Sequence, residues 1–149
     1  MEELLVYAIL LSEKLATENE YCRRLDELFL AHPENDDLLC LEWETDIKKA
    51  ILYIKIHMDY ANLDSERFGR ILMRKLKEVY ANNPDIRHLA NHMFGLWENL
   101  PGSLQDTEPF MALCYAADPL SWGDEELAKS ICEQMFHYYP EETDTAKQP

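Results

Sequence analysis

Apolar residues recur along this chain every three to four positions, the spacing of a helix face rather than the alternation of a strand. Leu4, Leu5, Ala8, Leu11 and Leu15 fall on one stripe and predict a first helix from about Glu3 to Ala16. "TENE" at 17–20 has the form of a capping box, Thr17 as N-cap with Glu20 three positions on. A second helix to about Ala31 would then bury Tyr21, Leu25, Leu28 and Phe29; one long helix bent near Asn19 is the alternative. "AHPENDD" forces a turn at Pro33, with Asn35 or Asp36 able to cap a third helix. Residues 37–61 read as helix, with a break near Thr45, and Ile47, Ala50, Ile51, Ile54 and Met58 form its apolar stripe. Asp64 or Ser65 caps the next helix, which reaches about Ala81.

"NNPD" at 82–85 closes that helix, and Pro84 suits the first turn of another running to Leu100. Its inner face carries Ile86, Leu89, Met93, Leu96, Trp97 and Leu100. "PGSLQDTEP" (101–109) is the longest break, after which Thr107 can cap a short helix to about Ala117. "DPLSWGDEE" leads into a last helix with Leu127, Ile131, Cys132, Met135, Phe136 and Tyr139 facing inward. Connections of a few residues favour antiparallel neighbours. The pattern therefore predicts an all-α fold. It is a single compact domain of six to eight helices over residues 1–139, a bundle or a short stack of helical hairpins, with a polar C-terminal tail at 140–149. No signature recurs at the periods of a regular solenoid.

Composition agrees with that picture and charge complicates it. A chain of 149 residues, 47% apolar, with only four glycines, suits one helical domain. Twenty-nine acidic residues against 14 basic ones give a net charge of -15. Such a surface is badly matched to phosphate backbones and to anionic membranes, so neither direct nucleic-acid binding nor membrane binding is expected. The charge is also uneven: residues 1–50 carry a net of -8, residues 51–100 a net of +1 and residues 101–149 a net of -8. The apolar run Leu4–Leu11 follows glutamates and is too short to span a bilayer, which points to a cytoplasmic protein. Cys22, Cys40, Cys114 and Cys132 lack the close spacing of a zinc or disulfide framework and read as reduced core thiols.

Chemistry-bearing motifs are absent. His88 and His92 share a helix face at i, i+4, but no glutamate base stands between them and no third ligand is near in sequence. No serine is flanked by glycines, no cysteine lies in a basic context, and the isolated glycines form no phosphate cradle. The expectation is a protein without catalytic residues, cofactor or metal. One basic stripe, Arg67, Arg70, Arg74 and Lys77, runs along a helix whose other side is apolar. It reads as a source of partners for carboxylates on neighbouring helices, with a mixed-charge binding surface as the alternative.

Two acidic clusters surround a tryptophan each. Glu34, Asp36, Asp37, Glu42, Glu44 and Asp46 lie about Trp43; Asp118, Asp124, Glu125 and Glu126 lie about Trp122. Acids near helix starts complement the helix dipole, and tryptophan is commonly a core residue. A large aromatic inside a charged rim is also the composition of a protein hot spot, with the carboxylates steering a basic partner. In the second cluster Asp118 and Ser121 are candidate caps, Gly123 loosens the turn, and capping leaves Trp122 and the remaining acids unexplained.

The segment "WENLPGSLQDTEPFMALCYAADPLSWGDEE" (97–126), and the ending "DPLSWGDEELAKSICEQMFHYY", resemble immunity proteins of bacterial contact-dependent and polymorphic toxin systems. That resemblance implies a protein that binds a cognate toxin domain, often a nuclease with a basic cleft, and blocks it. Those families differ in fold, so no residue roles carry over. Two other functions fit the acidity: a phage-type anti-defence protein that mimics DNA, and a helical adaptor with no inhibitory role. A helical hydrolase or lyase fits less well, for want of a motif.

Overall fold

The first helix is apolar on every side, and that decides the architecture. In the computed structural model, which describes residues 1–141, α1 (Glu2–Ser12) buries every residue from Leu4 to Leu10. A helix without a polar face is stable only when surrounded. Accordingly α1 is packed against α2 (Glu18–Ala31), α4 (Ile47–His57) and α5 (Ser65–Asn82). The one-stripe reading of α1 is thus corrected, as is its length. The helix stops at Ser12, and the Leu15 amide returns to the Leu10 carbonyl at 2.8 Å, through Lys14 in the left-handed region (φ 58°).

Caps set most of the boundaries. Thr17 Oγ1 accepts from the Glu20 amide at 3.2 Å while Glu20 Oε2 accepts from the Thr17 amide at 2.7 Å, so α1 and α2 are separate helices. Asn35 caps α3 (Asp36–Trp43), Asp46 caps α4 and Asp64 caps α5. The break expected near Thr45 spans Glu44–Asp46, and residues 60–62 form a separate 3-10 turn before α5. Asp85 caps α6 (Ile86–Glu98), so Pro84 precedes the cap instead of opening the helix. The 101–109 break contains a one-turn helix, α7 (Gly102–Gln105), and Thr107 bonds back to the Leu104 carbonyl at 2.9 Å rather than capping forward. A second single turn, α8 (Ala112–Tyr115), a 3-10 turn (Asp118–Trp122) and α9 (Glu125–Phe136) complete the described residues. These are nine α-helices, two of them single turns, with no strand among the described residues. The expected tail falls mostly on 142–149, outside the described residues.

On one side of α1, α2, α3 and α4 pack in sequence order; on the other, α5 carries α9, which in turn meets α6, α8 and the second 3-10 turn. Phe68, Leu72 and Leu76 of α5 sit at the centre with Ile54 of α4 and Phe110. Each such side chain contributes about 1.5–3 kcal/mol on burial. A Cβ on Gly69 would collide with the end of the Tyr139 ring, and one on Gly95 would push aside the Glu13 carboxylate. Trp97 and Gln105 exchange side-chain-to-backbone hydrogen bonds at 3.0 Å each way, fastening α7 to α6. Of the cysteines expected in the core only Cys132 is buried; Cys22, Cys40 and Cys114 are exposed, because their helices turn other faces inward. Among the described residues no helix is long and apolar enough to cross a membrane.

Candidate protein-binding site

Most carboxylates of the first cluster have local duties. Asp46 Oδ1 accepts from the Lys48 amide at 2.9 Å as the cap of α4, and Glu44 Oε1 accepts from the Asp46 amide at 3.0 Å. Asp37 accepts a 2.7 Å hydrogen bond from the Tyr53 hydroxyl, tying α3 to α4; that bond is the main reason the Tyr53 phenol is raised above its ordinary range. Glu34 sits 3.7 Å from His32. Glu42 faces inward across α2: one of its oxygens is buried without a hydrogen-bond donor. Burial raises its carboxyl above the usual range, and the adjoining Asp26 carboxyl raises it further. Glu34, Asp36 and Asp46 are exposed, as is Trp43, whose indole is 79% exposed.

The second cluster divides in the same way. The 3-10 turn Asp118–Trp122 ends at Gly123, whose φ of 82° is the left-handed conformation that lets the chain reverse. Asp124 then caps α9, its Oδ1 accepting from the Leu127 amide at 3.0 Å. Ser121 is not the cap: its hydroxyl donates to the Asp118 carbonyl at 2.7 Å inside the turn, and Asp118 starts that turn without capping it. Glu125 Oε1 lies 2.6 Å from Arg87 Nε on α6, and Glu126 is 3.5 Å from Lys129. The turn is therefore held at both ends by backbone geometry. Trp122 projects from it 64% exposed, beside the exposed acids Asp118, Asp124 and Glu126.

The two tryptophan surfaces are separate. Trp43 ends α3, which lies against α2 and α4, whereas Trp122 ends the turn that lies against α9. Sequence reasoning placed both clusters but missed the exposed apolar side chains that accompany them. Leu127, expected in the core, is 43% exposed three residues past Asp124, and Met111 and Tyr115 are also exposed. On α4, Leu52 and Ile56 are exposed. Their sequence signal is that they fall off the stripe Ile47, Ala50, Ile51, Ile54, Met58 while remaining apolar.

The basic stripe also departs from its expected role. Arg70 pairs with Glu66 at 2.8 Å, four residues away on the same helix; among the described residues Arg67, Arg74 and Lys77 pair with no carboxylate of another helix. The helix presents these side chains to solvent because Phe68, Ile71, Leu72 and Leu76 claim the inner face. The His88 and His92 rings meet edge to face at 5.3 Å, and His92 Nδ1 is 3.3 Å from Glu13 Oε2. Among the described residues no three histidine, cysteine or acidic side chains are grouped to hold a metal ion. Compared with protein-family models, with curated proteins and with solved structures, the chain finds no match in any of the three.

Proposed function

We propose that this protein is a binding inhibitor of the immunity type, which neutralises a basic toxin domain by covering it with the Trp122 surface. The observation that carries the reading is the Trp122 side chain. A large indole stands mostly in solvent on a turn fixed by Gly123 and the Asp124 cap, where the fold gives it nothing to stabilise. A rigid aromatic anchor loses little conformational freedom on binding, and surrounding carboxylates speed encounter with a cationic partner. Trp43 with Asp36 offers a second, separate anchor of the same chemistry. A DNA mimic requires carboxylates at phosphate-like intervals over a continuous surface. The exposed arginines of α5, and the acids consumed in caps, speak against that reading.

The test separates interface from fold. Asp124 is the wrong acid to change, since it caps α9; Trp122→Ala combined with Glu126→Lys removes the anchor and reverses a rim charge without touching a cap. Capture from the native host, read by mass spectrometry, should return a basic toxin domain with the unaltered chain and lose it with the double variant. Co-expression should protect cells from that toxin in the first case only. Capture of no toxin, or equal protection by both chains, removes the proposal.

A further inference from the structure

We infer that α5 forms a second docking face, for a short acidic peptide segment. Arg67, Arg70, Arg74 and Lys77 line one side of α5, and Arg67, Arg74 and Lys77 are exposed with no carboxylate at ion-pair distance among the described residues. The ion pairs nearby belong to other cations: Arg24 with Glu3 at 2.8 Å and with Glu27 at 2.7 Å, and Lys75 with Glu78 at 3.6 Å. In a molecule of net charge -15, three exposed cations along one helix without ion-pair partners among the described residues are an exception.

The face is also hollowed. One depression of about 620 Å3 is lined by Arg24, Arg67, Arg70 and Arg74 with Glu3, Asp64 and Glu66 among its walls; Glu3 is held by Arg24, Glu66 by Arg70, and Asp64 caps α5. An adjoining one of about 340 Å3 is lined by Arg70, Arg74, Lys77, His137 and Tyr139, with Glu141 at its edge. They share Arg70 and Arg74. Arg70 is fixed as a wall: it reaches Glu66 and the Pro140 carbonyl at 2.7 Å, and its guanidinium lies 5.3 Å from the Tyr139 ring centre. That leaves Arg67, Arg74 and Lys77 as donors for a ligand. From Arg67 to Lys77 the helix rises about 15 Å. An extended peptide covers that span with about five residues.

Charge complementarity selects a short acidic peptide over a nucleic acid. Duplex DNA carries one charge per about 1.7 Å of axis and would extend past the stripe, within a Debye length of about 10 Å of the molecule's excess carboxylates. A five-residue acidic segment stays on the cations.

Fluorescein-labelled hexaglutamate, followed by fluorescence anisotropy at about 0.1 M salt, where repulsion by the rest of the molecule is screened beyond about 10 Å, tests this. Saturable binding is expected, weakened at least tenfold by Arg74→Glu with Lys77→Glu and unchanged by Lys48→Glu with Lys49→Glu on α4. The two variants change net charge equally, and all four side chains are exposed, so circular dichroism should show both folded. Absence of saturable binding, equal weakening by both variants, or tighter binding of hexathymidylate overturns the inference. So does sedimentation showing that the stripe joins two copies of the chain.

Discussion

Three tryptophans occupy three different situations, and each predicts a different result on truncation. Trp97 holds Gln105 through reciprocal hydrogen bonds and is packed against the core. Trp97→Ala should cost about 3 kcal/mol in denaturant unfolding. Trp122→Ala and Trp43→Ala should each stay within about 0.5 kcal/mol, because exposed side chains with no fold partner contribute little. Glu42 supplies a pH prediction. Its carboxyl is raised by burial and by Asp26, so the folded protein holds a proton that the unfolded chain has already released. The pair therefore adds stability at acid pH and loses it as pH rises through the raised value. Glu42→Gln should raise the melting temperature at pH 7, with the gain shrinking toward the ordinary carboxylate range. A gain that is constant with pH would contradict the raised Glu42 carboxyl. The sequence marked Glu42 as one of several acids near Trp43; its inward direction depends on α2 meeting α3, a contact no local pattern encodes.

Caps and glycines govern the elements. Replacing Asp124 by Ala should cost about 1 kcal/mol through the start of α9, while Glu126→Lys, which loses a first-turn acid and the exposed Lys129 pair but no cap, should cost about 0.5 kcal/mol. At Gly69 an alanine would improve helix propensity yet drive Tyr139 off α5. Gly69→Ala should therefore destabilise by about 1–3 kcal/mol, measured by thermal unfolding. It should also make the residues after α9 more open to limited proteolysis. Helix starts were the most legible feature of this chain. The Thr17–Glu20 box, Asn35 and Asp64 were all readable, because a cap is a short-range hydrogen bond written in adjacent residues. Ends and single turns were less so. The run Leu4–Leu10 is apolar throughout, so a stripe drawn through it could not reveal that every side is covered, and α7 owes its place to Trp97 on another helix. Ser121 and Asp124 both had capping chemistry, and only the left-handed Gly123 decided between them.

At the scale of the molecule, the acidic ends and near-neutral middle seen in the sequence become distinct surfaces. Trp43 ends a helix packed on α2 and α4, Trp122 ends a turn packed on α9, and the exposed cations lie on α5. If carboxylates steer the partner, association should slow as salt rises from about 0.05 to 0.5 M while dissociation changes little, a contrast that surface plasmon resonance reads directly. The central claim is that Trp122 anchors an interface and not the fold. The most direct measurement is the affinity of the captured partner for the Trp122→Ala, Glu126→Lys chain, by titration calorimetry, beside the melting temperature of the free variant. The account predicts a loss of at least about 30-fold, or roughly 2 kcal/mol, with a melting temperature no lower than that of the Glu126→Lys chain alone. Unchanged affinity, or a loss of affinity matched by a loss of stability, would contradict it.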